Sequence, residues 1–231
     1  MTTQSNWAAD FEQGLELSLP ADDLQAQART DERGWHRRRL GKITASQVHK
    51  LMVGGRKKDE LWGLTAKKEI YRLAYERMLT PEGADRYIDE LLSKDFKQTR
   101  WGKDNEPFAR DMYVELTGSA VTVPQSAKHP RLEYFTGSPD GLVCEDGIIE
   151  IKCPWAGENM LDSEYVQTHM VQIQALLEIH GRAWCDFVKY DPRLGNPIRV
   201  ERVLRDEVMI ADILARVVSA ELEINRLTNE I

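Results

Sequence analysis

The stretch Gly137-Ser138-Pro139-Asp140-Gly141-Leu142-Val143-Cys144-Glu145-Asp146-Gly147-Ile148-Ile149-Glu150-Ile151-Lys152-Cys153-Pro154 decides the reading of this chain. Two short apolar runs, Leu142 to Cys144 and Ile148 to Ile151, flank Glu145-Asp146-Gly147. Asp-Gly between apolar runs is a strong hairpin signal. Strand alternation puts Glu150 and Lys152 on one face of the second strand, and Ile149, Ile151 and Cys153 on the other. A two-residue turn at Asp146-Gly147 would set Val143 against Glu150 and Asp140 against Cys153. Two carboxylates and an ammonium then converge where a sheet begins. Carboxylate oxygens suit a hard divalent cation such as magnesium. A lysine beside them can steer a water, or deprotonate it once burial has lowered the lysine pKa. A plain surface hairpin with a cross-face Glu-x-Lys pair would read the same way in isolation.

The rest of the chain sets bounds. Its 231 residues, 42% hydrophobic and 30% charged, fit a globular protein with a real core, either one large domain or two small ones. A net charge of -7 excludes a uniformly basic nucleic-acid coat but leaves room for a local basic groove. Cys144, Cys153 and Cys185 lack Cys-x-x-Cys spacing, which argues against a zinc or iron–sulfur site and for buried thiols in a reducing cytoplasm. No apolar run reaches the roughly 18 residues of a membrane helix, and no signal-peptide pattern opens the chain.

In order along the chain, residues 1–28 read as a mobile or loosely docked arm, with a short helix somewhere between Ser5 and Leu19, and residues 29–231 as one domain. Thr44 or Ser46 is expected to cap a helix carrying Val48, Leu51 and Met52, preceded by Arg37-Arg38-Arg39 and stopped by Gly54-Gly55. Such a helix start beside arginines suits a phosphate. A helix capped by Thr65 is expected to run to Leu79, and another from Arg86 to Phe96. A further helix should start at Asp104 or Asn105, carry Pro107 in its first turn, bury Phe108, Met112 and Leu116, and stop at Gly118. Glu106 would then be a first-turn acid complementing the helix dipole. Val121 to Val123 reads as a strand and His129 as an ordinary loop histidine. Tyr165 to His180 reads as a helix ended by Gly181, with Gln172 and Gln174 on its polar edge. Two strands follow, from Ala183 and from Ile198, and then a long helix with Ile210, Ile213, Val217, Ala220, Ile224 and Leu227 along one stripe. The sum is an α/β domain with a central mixed sheet flanked by helices.

Pro139-Asp140 followed by Glu150-Ile151-Lys152 resembles the PD-(D/E)xK nuclease signature. Ser138-Pro139-Asp140-Gly141-Leu142 with Glu150-Ile151-Lys152-Cys153-Pro154 resembles, more narrowly, the phage lambda exonuclease or YqaJ-type viral recombinase (alkaline exonuclease) family. Trp35-His36 through Ser46, Gly102 to Arg110, and Gln172-x-Gln174 extend the resemblance over residues 34 to 203. It implies a metal-dependent 5′→3′ double-strand DNA exonuclease that leaves a 3′ single strand for recombination in a bacterial host cytoplasm. It further implies a ring-shaped homotrimer and a single-strand annealing partner. By motif position, Asp140, Glu150 and the Ile151 carbonyl would hold magnesium, or manganese in its place. Glu106 would share that ion or help hold a second, and Lys152 would serve the attacking water. Arg39 and Ser46, with Ser138 and Gln172, would hold the 5′-phosphate and the scissile region. The lambda type carries tyrosine at the position of His169 and an arginine in the loop after Pro154, so His169 is a departure and no loop residue is assigned. Another PD-(D/E)xK nuclease, such as a restriction or repair endonuclease, and a non-catalytic DNA-end-binding module are the competing readings.

Overall fold

The computed structural model describes residues 32–57, 59–94 and 96–230. The chain divides into two units at Arg38/Arg39. Of the first unit, residues 32–38 are described and are helical. The expected arm, its boundary near residue 28 and its short helix lie outside the described residues.

In the second unit, among the described residues, there are eight strands: β1 (Ile43–Thr44), β2 (Val121–Thr122), β3 (Ala127–Lys128), β4 (Phe135–Gly137), β5 (Gly141–Val143), β6 (Gly147–Lys152), β7 (Trp184–Tyr190) and β8 (Ile198–Leu204). Five α-helices accompany them: α1 (Leu64–Met78), α2 (Pro81–Leu92), α3 (Lys97–Thr117), α4 (Met170–His180) and α5 (Glu207–Asn229). The main sheet runs β2-β5-β6-β7-β8, with β6 and β7 parallel and the other pairs antiparallel. A smaller sheet runs β1-β4-β3. This is the mixed α/β architecture expected from the sequence.

Strand β6 divides the core by alternation. Ile148 faces Ile173, Leu176, Phe187, Ile213 and Val217, the side covered by α4 and α5. Ile149 and Ile151 face Val143, Val188, Ala109 and Tyr113, the side covered by α3. Burying both faces explains why β6 reads as Ile-Ile-Glu-Ile rather than as a polar–apolar alternation.

The hairpin turn differs from expectation in a way that matters for the site. Val143 pairs with Gly147, not with Glu150. The turn is therefore the three residues Cys144 to Asp146, with Cys144 at φ 48°. Gly147 opens the strand because a Cβ there would lie 2.2 Å from the Trp184 indole, so its glycine serves packing rather than the turn. The register shifts by three, and Asp140, just before β5, donates its N–H to the Ile149 carbonyl at 3.1 Å, beside Ile149 and not Cys153. Cys144 is exposed and Cys153 half-buried; only Cys185 is the buried thiol expected.

Several helix boundaries also move. Val48–Met52 is a 3-10 turn with no side-chain cap, and Thr44 belongs to β1, so there is no helix N-terminus for an anion at this place. Helix α1 starts after Gly63, not at a Thr65 cap. Pro81 does not merely end it but begins α2, with Thr80 Oγ1 accepting from the Gly83 N–H at 3.1 Å. Helix α3 is 21 residues long, with Pro107 in its interior, and stops at Gly118 (φ 66°) as expected. It buries Asn105, Ala109 and Tyr113, whereas Phe108 and Leu116 are each 62% exposed. Small Ala109 lets the helix approach the sheet, and the Tyr113 hydroxyl reaches Asp186 at 2.7 Å. Gln174 is no edge residue: buried, it donates to the Leu204 carbonyl and accepts from the Asp206 N–H, each at 2.8 Å. No described helix is long and apolar enough to cross a membrane.

Candidate active site

Four of the expected residues meet at the end of the hairpin. Asp140 leaves β4 through Ser138-Pro139 and turns its Oδ2 onto the Ile151 N–H at 2.6 Å. Glu150 is 2% exposed. Its Oε1 accepts from Lys152 Nζ at 2.6 Å and from Gln172 Nε2 at 2.5 Å. Gln172, on the first turn of α4, thus touches the candidate catalytic carboxylate itself. Glu150 Oε2 is buried with no hydrogen-bond partner, an unusual state for a carboxylate oxygen, because an unsatisfied buried charge is costly.

The backbone adds a further oxygen. The N–H and C=O of one strand residue point the same way, and the Ile151 N–H points at Asp140. The Ile151 carbonyl therefore lies on the same edge of β6, beyond the end of β5.

The electrostatics are those of a site short of positive charge. Burial, then the charges of Glu150 and Glu106, push the Asp140 carboxyl well above the usual carboxylate range. Two opposing effects act on Lys152. Burial works to lower its pKa, but the Glu150 and Asp140 carboxylates outweigh it and raise the value. The lysine is placed to orient a water or a phosphate oxygen.

Glu106 acts on Asp140 from α3 through its charge. It lies in the middle of α3 rather than in its first turn, and it is ion-paired to Arg110 one helical turn on. Arg110 in turn donates to the Asp140 carbonyl at 3.0 Å, so the pair flanks the site. Among the described residues no three His, Cys, Asp or Glu side chains form a ready ligand cluster. The oxygens already gathered, from Asp140, Glu150 and the Ile151 carbonyl, are all hard donors. With Glu150 Oε2 unpartnered, they fit a magnesium-type cation.

Arg110 is a site residue that sequence reasoning missed. Ala109-Arg110 belongs to the motif that carries the resemblance, but only the helical register of α3 turns the arginine toward Asp140.

Arg39 and Ser46 are brought together, with Arg39 Nη2 donating to Ser46 Oγ at 2.9 Å. Burial, with Arg72 nearby, pulls the Arg39 pKa down to about 10. Strand β1 pairs in parallel with β4, Thr44 against Thr136. Continuing that register sets Ser46 alongside Ser138, two residues before Asp140. His129 is a buried loop staple. Its Nε2 meets Glu178 at 2.9 Å, and its Nδ1 accepts from the Arg131 and Leu132 N–H groups.

The crystal structure of LHK-Exo, an alkaline exonuclease from Laribacter hongkongensis, has a TM-score of 0.69 to this chain at 30% identity, over 85% of this chain and 94% of that one. The same enzyme in complex with dAMP gives 0.67 at 31% identity, over 85% and 96%. A phage-related exonuclease from Haemophilus somnus 129PT, 20% identical, shares the fold with a TM-score of 0.64 over 82% and 96% of the two chains. No curated protein sequence matches. Residues 34–183 match the YqaJ-like viral recombinase domain. That span runs from before the Arg39–Ser46 contact through the hairpin and α4, and the chain belongs to that family.

Proposed function

We propose that this protein is a metal-dependent 5′→3′ double-strand DNA exonuclease that begins at a 5′-phosphorylated end and leaves a 3′ single strand for annealing-type recombination. The observation that carries the reading is Glu150. One of its oxygens is tied to Lys152 and Gln172, and the other is buried without a partner, beside an Asp140 whose charge burial disfavours. Family membership and the likeness to alkaline exonucleases support the exonuclease class.

Asp140, Glu150 and the Ile151 carbonyl would hold magnesium, with Glu106 able to join once it leaves Arg110; manganese is expected to substitute. The cation supplies Lewis-acid stabilisation of charge on the phosphate oxygens. Lys152 donates hydrogen bonds that orient the attacking water. Gln172 fixes the Glu150 carboxylate from the opposite side. Arg39, with Ser46 and Ser138, offers a charged fork and neutral donors to the 5′-phosphate. A homotrimer and a single-strand annealing partner complete the proposal; light scattering at micromolar concentration tests the first.

The deciding experiment is digestion of linear, nicked-circular and closed-circular duplexes with magnesium or EDTA. Magnesium-dependent loss of linear DNA, with closed circles intact, is expected. Cutting of closed circles would replace the exonuclease with an endonuclease of the same fold. No digestion in magnesium or manganese would leave an end-binding module.

A further inference from the structure

His169 stands where the 3-10 turn Tyr165–His169 runs into α4, three residues before Gln172. Residues three apart share a helix face, and on that face Gln172 reaches Glu150. The imidazole is held between Tyr165 and Phe187, with ring centroids 4.8 Å and 5.3 Å away. It lies within the electrostatic reach of Lys152, Glu150 and His49.

Its tautomer follows from its neighbours. Nδ1 is 3.1 Å from the Tyr165 carbonyl oxygen and 2.9 Å from Thr168 Oγ1. The Thr168 hydroxyl spends its own proton on the same Tyr165 carbonyl, at 2.7 Å. A carbonyl only accepts, and a hydroxyl has one proton to give. Nδ1 must therefore carry the proton, and Nε2 keeps its lone pair.

Such an acceptor has a use in the site. A water attacking phosphorus aims one lone pair at the phosphorus and requires partners for its hydrogens. Lys152 only donates. Glu150 Oε1 already accepts from Lys152 and Gln172, its Oε2 is the oxygen left for the cation, and Asp140 Oδ2 accepts from the Ile151 N–H, so that Asp140 Oδ1 and His169 Nε2 are the acceptors with no such claim on them. We propose that His169 is a further catalytic residue: Nε2 accepts a hydrogen bond from the attacking water and, opposite Lys152, fixes its orientation. The inference rests on the nuclease reading above and names a residue which that reading does not use.

The test compares His169→Asn with His169→Gln. Asparagine keeps a donor at the Nδ1 position and has nothing at Nε2; glutamine can place its amide oxygen at the Nε2 position. Steady-state digestion of a linear duplex in magnesium should show kcat about 10²-fold lower in His169→Asn with little change in KM, the scale expected for a misaligned reactant. His169→Gln should recover most of that loss. Wild-type kcat in His169→Asn, equal losses in both variants, or a change confined to KM would each overturn the proposal. Proton–nitrogen NMR of the wild-type imidazole is independent of how the variants fold. It should show Nδ1 protonated and Nε2 bare in neutral solution, and the opposite tautomer would overturn the assignment. If wild-type protein digests nothing, the nuclease reading fails; if it digests DNA and His169→Asn matches it, only the His169 assignment fails.

Discussion

Replacing Asp140 by asparagine should make the metal-free protein more stable while destroying the site. The Asp140 carboxyl lies in the field of Glu150, with Glu106 close enough to add to the repulsion. Two carboxylates about 5 Å apart repel by about 3 kcal/mol at an effective dielectric of 20. The Lys152 ammonium offsets part of this, leaving about 1–2 kcal/mol to be recovered when the charge is removed. Asparagine keeps an oxygen for the Ile151 N–H, so the backbone contact survives. For a chain of this size that is a Tm about 2–8 °C higher in EDTA. Magnesium should reverse the order: at about 100 times Kd a bound ion stabilises wild type by about 2.7 kcal/mol, and the variant by little. The pH dependence has a definite sign. A carboxyl whose folded pKa is raised contributes its stability below the unfolded pKa and loses it as pH rises through the folded value. Wild type in EDTA should therefore lose stability on going from mild acid toward neutrality, and Asp140→Asn should give the flatter curve. Calorimetric melting with and without magnesium, at two pH values, measures all of this. An Asp140→Asn Tm equal to or below wild type in EDTA would refute the picture of a charge-strained, cation-seeking site.

Lys152→Ala should lower kcat by about 10³-fold, within the range for a lost electrostatic stabiliser, while gel-shift binding to duplex ends survives; near-normal turnover would remove Lys152 from the chemistry. Arg39→Ala should slow digestion of 5′-phosphorylated ends strongly and of 5′-hydroxyl ends slightly, because a general backbone contact would affect both alike. An unchanged ratio of initial rates would place the phosphate pocket elsewhere. Tyr113→Phe should cost about 1 kcal/mol, the net value of one hydrogen bond, since Asp186 keeps its two bonds from Arg202 at 2.8 Å each. A denaturant midpoint unchanged from wild type would show the Tyr113 hydroxyl to be unimportant.

Local pattern was enough to place the central hairpin, though not its turn, the division of β6 into a Glu150/Lys152 face and an Ile149/Ile151 face, and the positions of β7, β8 and α5. Periodicity and turn residues act between near neighbours in the chain, so they can be read without a fold. The resemblance supplied the rest of the site by motif position, and the family match bears out that recognition.

Packing settled whatever depends on the other side of a contact. Gly147 looks like a turn glycine until Trp184 is placed over it, and the resulting register brings Asp140 to Ile149 instead of Cys153. Pro107 looks like a helix start, but α3 begins ten residues earlier, and packing of Ala109 and Tyr113 in the core beside β6 fixes which of its faces turns inward. The same rotation exposes Phe108 and brings Arg110 to both Glu106 and Asp140. The state of Lys152 could not be read from its neighbours in sequence either. Burial alone lowers a lysine pKa, and only the two carboxylates that folding places beside it reverse the sign.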